Sequence, residues 1–229
     1  MVKSGYEFTC SQLIKLNSQL VNRGKPVRAT KAQERRERMI SIAKEVFCEH
    51  GYEGASMSLI AARVGGSKGT LYNYFPSKND LLLATMLAAA EDFQQAFAET
   101  IDESQPLEQI LSNFVKQLLQ LLYQDENTAK LLRVVISVGG STDVGRRFFE
   151  YIGGGVWIQI TQILTRHIQT GELRQTDAQL MTTNLQGLCD ADMLRMLMGA
   201  MPPMSDKAIQ QRTQQIVTAF LRTYGTAET

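Results

Sequence analysis

The residues whose types and spacing predict chemistry most directly lie in the segment SKGTLYNYFPSK, residues 67–78. Lysines, hydroxyls and the N–H groups of a helix start bind phosphates, and a glycine lets the backbone approach a phosphate closely. Asparagine can make two hydrogen bonds to adenine, and the threonine methyl group can contact thymine. The side chains and backbone predicted to contact DNA are those of Lys68, Gly69, Thr70, Tyr72, Asn73 and Tyr74.

Two short helices joined by a glycine turn are predicted to position these residues. Ser56 can cap a first helix that continues to Val64, and Ser67 can cap a second helix that Pro76 stops. A pair of glycines lies between the helices and forms the turn. This arrangement is typical of a helix-turn-helix, whose second helix places its N-terminal residues in the major groove of DNA.

Apolar side chains are expected to hold the two helices together. The positions predicted to pack are Ile60, Ala61, Val64 and Leu71. Phe75 is assigned to the core of the same domain. Two interpretations stay open for Tyr72 and Tyr74, since a phenol can belong to the core or can pack its ring and bind a phosphate at once.

Hydrophobic periodicity predicts helices along the rest of the chain, and hence an all-α fold. Apolar residues recur every three or four positions over residues 31–50, and Gly51 follows at the position of a C-terminal cap. Ser77 can cap a long helix that runs from Lys78 to about Ile101. Further helices are predicted at residues 106–123, 126–138, 143–150, 155–170, 177–199 and 206–223.

The charge distribution divides the chain into a basic part and an acidic part. Residues 1–80 carry 13 Lys and Arg against 7 Asp and Glu, whereas residues 81–229 carry 11 against 16. This asymmetry is typical of a nucleic-acid-binding domain joined to a domain with another task. We therefore predict a DNA-binding domain over residues 31–80 and a second domain over residues 81–229.

Residues 1–30 form a polar, basic extension that is expected to be partly ordered at best. A short apolar pattern lies between Leu13 and Leu20, and Gly24 and Pro26 separate it from the next helix. A basic arm that reaches a minor groove and a tail without a role are both compatible with this composition.

The titratable residues predict neither an enzyme nor a metal or cofactor site. Cys10, Cys48 and Cys189 are odd in number and far apart, and neither histidine lies near a cluster of carboxylates or cysteines. No nucleophile stands beside a base at a recognisable spacing. The glycines at 153–155 lack the Lys-Ser or Lys-Thr pair of a phosphate-binding loop, so they are interpreted as a helix break.

The hydropathy pattern predicts a cytoplasmic protein without a membrane partner. No apolar run approaches the ~18 residues that a membrane span needs. The N-terminal sequence MVKSGYEFTC lacks the apolar stretch of a signal peptide.

The stretch from Gly51 to Lys78 resembles the DNA-binding signature of the TetR family, most specifically over residues 67–78. The segments 131–136, 146–149 and 171–174 are similar to the C-terminal domains of repressors in the efflux-regulator branch. The resemblance implies a nine-helix, Ω-shaped dimer. It also implies that Lys78 reaches a phosphate and that the following residues face DNA: Ser58, Lys68, Thr70, Tyr72, Asn73 and Tyr74.

Three positions depart from the family pattern. Gly66 replaces an apolar turn residue, so a looser turn is expected. Ser58 and Leu59 replace residues that are commonly polar or basic, and Ala55 replaces a common threonine. Contacts from the first helix of the motif are therefore less secure than those from the second.

The second domain is predicted to enclose a small, apolar or amphipathic effector. Apolar walls with a few convergent polar groups describe most small-molecule sites. The residues nominated as ligand contacts are Met86, Phe93, Phe114, Leu118, Trp157, Gln186, Cys189, Asp190 and Met193.

Two features of this domain each have two interpretations. Asp190 can pair with a cationic ligand, or it can be solvated or bonded to a neighbouring helix. The methionine cluster can form an adaptable pocket or fill an ordinary core. The cluster comprises Met181, Met193, Met196, Met198, Met201 and Met204.

Helices 177–199 and 206–223 resemble the dimerisation pair of the family. The apolar residues Ile209, Ile216, Ala219 and Phe220 fit one buried face, so two helices from each chain are expected to form an intersubunit bundle. A two-fold dimer matches a pseudo-palindromic DNA site. An effector that favours another separation of the DNA-binding domains lowers the affinity for DNA, and helix 78–101 connects the two regions.

These observations predict a ligand-responsive transcriptional repressor that binds an operator in double-stranded DNA as a homodimer. Activation instead of repression stays open. Two other classes stay open as rivals, namely a helical interaction module that does not bind DNA and, with less support, an all-α enzyme.

Overall fold

The computed structural model describes residues 30–152 and 155–226, which are almost entirely helical. The helices are α1 (Lys31–Gly54), α2 (Met57–Val64), α3 (Lys68–Tyr74), α4 (Lys78–Thr100), α5 (Leu107–Tyr123), α6 (Glu126–Gly139), α7 (Val144–Ile152), α8 (Val156–Gln169), α9 (Ala178–Asp190), α10 (Met193–Leu197) and α11 (Asp206–Tyr224). The predicted all-α fold is confirmed. All ten helices placed by the sequence pattern are present, and the one over 177–199 is divided in two, which gives eleven helical segments in the described part of the chain. The basic extension lies outside the described residues, except for Thr30.

Serine caps begin the three helices that form and follow the DNA-binding motif, as the sequence predicts. The Oγ atoms of Ser56, Ser67 and Ser77 each accept a hydrogen bond from the backbone N–H three residues later, at 3.1 Å. Each bond satisfies one of the N–H groups that the first turn of a helix leaves without a partner. Local sequence therefore fixes where α2, α3 and α4 begin.

Two glycines with positive φ set the geometry around α2. Gly51 has a φ of 66° and kinks α1, which continues for one further turn to Gly54. Gly65 has a φ of 77° and ends α2 in the left-handed conformation. A residue with a Cβ atom is strained at such angles.

Two apolar cores organise the molecule. One core comprises residues of α1, α2 and α3 together with the first turns of α4, the second half of α6 and the start of α7. The other core lies among α5, α8, α9, α10 and α11, with Phe97 from the end of α4. Because α4 contributes to both cores, the N-terminal helices are packed directly against the rest of the protein.

The single helix predicted over 177–199 is interrupted at Ala191 and Asp192. Asp192 leaves the helical conformation, and its carboxylate forms ion pairs with Arg195 at 3.3 Å and with Arg212 of α11 at 3.2 Å. The break places Asp190 at the end of α9 and Met193 at the start of α10.

The apolar face of α11 packs inside its own chain, which corrects one expectation about the dimer. Ile209, Ile216 and Phe220 are buried against the core that α5 shares, whereas Ala219 is exposed. The face that the sequence pattern predicts as buried is therefore occupied by the intrachain core. Among the described helices, none is long and apolar enough to cross a membrane.

Candidate nucleic-acid interface and ligand cavity

The helix-turn-helix is closed by packing and by backbone hydrogen bonds. Ile60, Ala61, Val64 and Leu71 are all buried at the contact of α2 with α3, as predicted. The N–H groups of Gly65 and Gly66 donate to the carbonyls of Ala62 and Ala61, at 3.1 and 3.0 Å. The turn is therefore closed with glycine at position 66. A Cβ atom there would lie 3.6 Å from the Arg35 guanidinium, an ordinary contact, so a side chain fits as well.

The face of α3 that points away from this core presents polar groups. Lys68, Gly69 and Asn73 are exposed, and the Tyr72 side chain is 41% exposed. The Lys68 ammonium lies 5.7 Å from the centre of the Tyr72 ring. Asn73 makes no side-chain hydrogen bond to any residue that the structure describes, so its amide is available to a partner.

Thr70 and Tyr74 are half-buried at the edges of this face. The Thr70 hydroxyl lies 2.9 Å from the Ser67 hydroxyl, within the cap that begins α3. The Tyr74 ring packs against the core beside Phe75, with ring centres 6.5 Å apart. Tyr74 thus has the packed ring of the core interpretation, whereas Tyr72 does not belong to the core.

Residues of α2 and its approach differ in exposure. Ser58 is exposed, Leu59 is half-buried against the core, and Ala55 is fully buried. Arg63 is held by an ion pair with Glu49 of α1 at 2.6 Å. The hydrogen bond from Arg63 lowers the pKa of the Glu49 carboxyl. Ser58 is thus the one nominated residue on α2, and its hydroxyl is accessible.

The resemblance implies that Lys78 reaches a phosphate, and in this structure its side chain contacts the end of α1. Its Nζ atom donates a 2.8 Å hydrogen bond to the carbonyl of Tyr52 and lies 3.9 Å from the centre of the Tyr52 ring. The Tyr52 hydroxyl in turn donates to Asn79. One hydrogen bond and one aromatic contact from Lys78 therefore join the start of α4 to the end of α1.

A cavity of about 260 Å³ is enclosed by residues of the helices from α4 to α10. Seven of the nine nominated ligand contacts line it. They are Met86, Phe93, Leu118, Trp157, Gln186, Asp190 and Met193. Residues of α4, α5, α6, α7, α8, α9 and α10 contribute to its wall. Ile136 and Phe149, which are 60% and 65% exposed, lie at its opening.

Phe114 and Cys189 lie behind the wall and not on it. Phe114 is fully buried, and its ring centre is 5.0 Å from those of Phe97 and Trp157. Cys189 is buried, and its carbonyl accepts a 2.7 Å hydrogen bond from the Tyr123 hydroxyl. Burial raises the pKa of the Cys189 thiol to about 12. Both nominations were wrong about the surface of the cavity, because helix periodicity does not distinguish the first layer of a wall from the second.

The methionine cluster is distributed over different environments. Met193 lines the cavity, Met181 and Met196 are buried in the core, and Met198 is 75% exposed. Met86, from α4, is the second methionine of the wall. The core interpretation therefore describes this cluster better than the pocket interpretation.

The sequence nominated no wall residue of α7. Phe148, Phe149 and Tyr151 all line the cavity. The Tyr151 hydroxyl donates a 2.8 Å hydrogen bond to Glu91 of α4. The adjacent aromatic residues in the segment 146–149, noted only for their family resemblance, were the available signal.

Polar groups in the wall are few, and the one carboxylate among them has no partner among the described residues. Thr128, Gln94, Gln186, Tyr151 and Asp190 are its polar residues, and no Lys, Arg or His of the described chain lines it. Asp190 is half-buried and makes no hydrogen bond or ion pair with any described residue. Burial raises the pKa of the Asp190 carboxyl. The described residues also contain no group of three or more potential metal ligands.

An ion pair connects the cavity wall with the start of α4. Arg147 directly precedes the aromatic wall residues of α7, and its guanidinium contacts the Asp80 carboxylate at 2.8 Å. The Ser77 hydroxyl donates to the same carboxylate at 2.6 Å. The bonds from Ser77 and Arg147 lower the pKa of the Asp80 carboxyl. The turn that follows α3 is thereby joined to the helix that forms one side of the cavity.

Two family models match this chain, one over the helix-turn-helix and one over the helices that enclose the cavity. Residues 40–85 match the model of bacterial regulatory proteins of the tetR family. Residues 109–226, half of the chain, match the model of the C-terminal domain of AefR-like transcriptional repressors. The chain belongs to the TetR family. Members of this family are transcriptional regulators that bind DNA, so the exposed face of α3 lies on the DNA-binding motif of a TetR regulator.

Curated relatives of this TetR regulator match over different shares of the chain. The fatty acid metabolism regulator protein of Bacillus subtilis is 28% identical over 153 residues, which cover 66% of this chain and 78% of that protein. The regulator UidR of Escherichia coli is 40% identical over 73 residues. That match covers 32% of this chain and only 37% of UidR.

Solved structures confirm the fold of this TetR regulator. A TetR-family regulator from Mesorhizobium loti has a TM-score of 0.73 and 24% identity, over 86% of this chain and 100% of that one. The regulator FadR of Bacillus subtilis, in complex with stearoyl-CoA, has a TM-score of 0.67 and 24% identity. This match covers 80% of this chain and 96% of FadR.

Proposed function

We propose that this TetR regulator is a repressor that binds its operator as a homodimer and is released by a small apolar or amphipathic effector. The observation that carries the proposal is the polar, exposed face of α3 on a closed helix-turn-helix. Residues 31–80 form the DNA-binding domain in this proposal, and residues 81–229 form the ligand-binding and dimerisation domain. Repression is supported by the description of the matching C-terminal family.

The proposed DNA contacts come mainly from α3. Lys68 and the N–H groups at the start of α3 bind phosphates, and Asn73 reads a base edge in the major groove. The remaining contacts are Ser58, Gly69, Thr70, Tyr72 and Tyr74. Lys78 is left out of this set, because its ammonium is bonded to Tyr52. It positions α4 against the DNA-binding domain.

The proposed dimer uses the outer faces of α9 and α10, beside α11. Leu180, Leu194 and Met198 are 50%, 69% and 75% exposed, which is unusual for large apolar side chains. Gly187 and Ala191 lie between them and are exposed, so a partner helix can approach closely. A second copy of the chain, related by a two-fold axis, covers this stripe and matches a pseudo-palindromic operator.

The proposed release follows from the position of the cavity between α4 and α7. An effector that fits one arrangement of these helices better than another shifts the protein towards that arrangement. The start of α4 follows the recognition helix directly, and Arg147 connects it to α7. The stearoyl-CoA complex of FadR supports an effector with an apolar part.

The test is fluorescence anisotropy with labelled DNA from the region upstream of the gene itself. Wild-type protein is expected to bind one fragment with steep salt dependence, because lysine contacts with phosphates release counterions. Light scattering on the same protein at micromolar concentration is expected to give the mass of a dimer. Absence of binding to every local intergenic fragment at low salt would support the rival interaction module, and a monomer would contradict the proposed stripe.

The enzyme rival has no observation in its favour among the described residues, so we propose regulation without catalysis. No cofactor enters the proposal.

A further inference from the structure

Asp190 is a carboxylate in an apolar cavity with no countercharge within the described chain. It is the last residue of α9, half-buried, and lines the cavity together with Gln186 one turn earlier and Met193 across the helix break. A charged group that loses water without gaining a partner raises the free energy of the protein. Such a group in a binding cavity is stabilised when a ligand supplies the missing charge.

We propose that the effector is an amphiphilic amine, whose protonated nitrogen donates hydrogen bonds to Asp190 and whose apolar part fills the cavity. This inference rests on the proposed function in one respect, namely that the cavity is the effector site. The volume of about 260 Å³ suits a compact apolar group or a medium alkyl chain. Gln186 offers a further polar contact beside the ammonium group.

Three features of the site favour a cation over an anion. No Lys, Arg or His in the described residues lines the cavity, so a carboxylate or phosphate ligand meets no positive side chain. Asp190 repels an anion directly. The cavity also faces the C-terminal end of α9, where the helix dipole carries partial negative charge and favours cations. A fatty acid or an acyl-CoA therefore fits this wall less well than an alkylamine.

Trp157 makes occupancy of the cavity directly measurable. It is the only tryptophan of the chain and it lines the cavity, so its fluorescence reports a ligand without labelling. The full-length protein is titrated at neutral pH with decylamine, decanol and decanoate, which share one alkyl chain and differ in charge. Decylamine is expected to bind about tenfold or more tightly than decanol, because hydrogen bonds between charged groups are the strong ones. Decanoate is expected to bind most weakly.

The variant Asp190→Asn tests the residue itself. It keeps the size of the side chain and removes the charge of a half-buried carboxylate, so thermal stability equal to or above that of the wild type is expected. Its affinity for decylamine falls to that of decanol, while its affinity for decanol stays the same. The matched control is Asp92→Asn on the exposed surface of α4, which removes the same charge outside the cavity and retains the preference.

The outcomes separate the two proposals. If none of the three compounds changes the Trp157 fluorescence, the cavity is not an effector site, and the proposed release fails together with this inference. If decanol or decanoate binds the wild type as tightly as decylamine, the amine class is wrong while the effector site stands. Retention of the decylamine preference by Asp190→Asn would also overturn the inference. The ranking in the wild type needs no variant and does not depend on how Asp190→Asn folds.

Discussion

The DNA-binding region and the ligand cavity of this TetR regulator are built in opposite ways. The candidate DNA contacts lie within seven consecutive residues of α3, apart from Ser58, and local signals such as the Ser67 cap set their positions. The cavity wall takes residues from Met86 to Leu197, on seven helices. The first site is local and exposed, and the second is assembled and largely apolar. A local site tolerates exposed substitutions without losing the fold, whereas an assembled site depends on the packing of the whole domain.

The DNA-binding region and the cavity are joined through α4 and α7, so a ligand in the cavity can affect DNA binding. The core of the DNA-binding region includes residues of α6 and α7, and the ion pair of Asp80 with Arg147 crosses the same boundary. A ligand that displaces α7 therefore acts on the segment that follows the recognition helix. Coupling of this kind requires that the ligand distinguish two arrangements of the protein.

The largest expected effect separates the core of the DNA-binding region from its surface. Leu71→Ala removes a side chain that is 1% exposed, and we expect a loss of about 2–5 kcal/mol in the free energy of unfolding. Tyr72→Ala, the next residue on the same helix, is expected to change it by less than about 0.5 kcal/mol. Urea denaturation followed by circular dichroism measures both. Equal losses would show that the exposed face of α3 is part of the core.

The next effect concerns affinity for DNA without a change in stability. Asn73→Ala is expected to weaken operator binding about 10- to 100-fold, because a two-bond base contact contributes about 1–3 kcal/mol to discrimination. Lys68→Ala is expected to weaken binding to all sequences and to reduce the salt slope by about 1. Anisotropy titrations at several salt concentrations distinguish the two roles. The control is Gln95→Ala on the exposed surface of α4, outside the proposed dimer stripe. Unchanged affinity of both α3 variants would contradict our assignment of the DNA contacts.

The smallest effect tests the connection between the two regions. Arg147→Ala breaks a partly exposed ion pair, so we expect at most about 1 kcal/mol loss of stability. The factor by which decylamine changes operator affinity is expected to shrink severalfold, because α7 no longer holds Asp80. Arg146→Ala is the matched control, since it removes the neighbouring guanidinium, which pairs with Glu150 within α7. If both variants keep the wild-type factor, the signal passes through α4 without this ion pair.

The formal net charge of residues 1–80 overstates how basic the described DNA-binding region is. The net charge of residues 1–80 is +6, yet residues 30–80 carry 8 Lys and Arg against 6 Asp and Glu. Most of the positive excess therefore belongs to residues 1–29. Within the described DNA-binding region, Lys78 is bonded to Tyr52 and Arg63 is paired with Glu49, so formal charge overstates the number of cations available to phosphates.

The sequence by itself determined the local elements of this protein. Serine caps, glycines and apolar spacing act within one or two turns of chain, so the starts of α2, α3 and α4 and the exposed face of α3 could be predicted. The same periodicity found seven residues of the cavity wall, because a pocket between helices is lined by their inward faces. Periodicity does not show whether an inward-facing side chain lines the cavity or lies behind the lining residues. Phe114 and Cys189 were therefore assigned to the wall, although they lie behind it.

Only the tertiary structure decided which helix packs against each apolar face and which groups surround each charged side chain. Ile209, Ile216 and Phe220 form an apolar stripe that fits a dimer or an intrachain core equally well, and packing of α11 in the body core made it intrachain. The same holds for Lys78 and Asp190, whose charges are visible in the sequence while their partners are not. Lys78 gained a carbonyl and an aromatic ring, and Asp190 was left without a countercharge, because the approach of distant helices fixes the surroundings of each side chain.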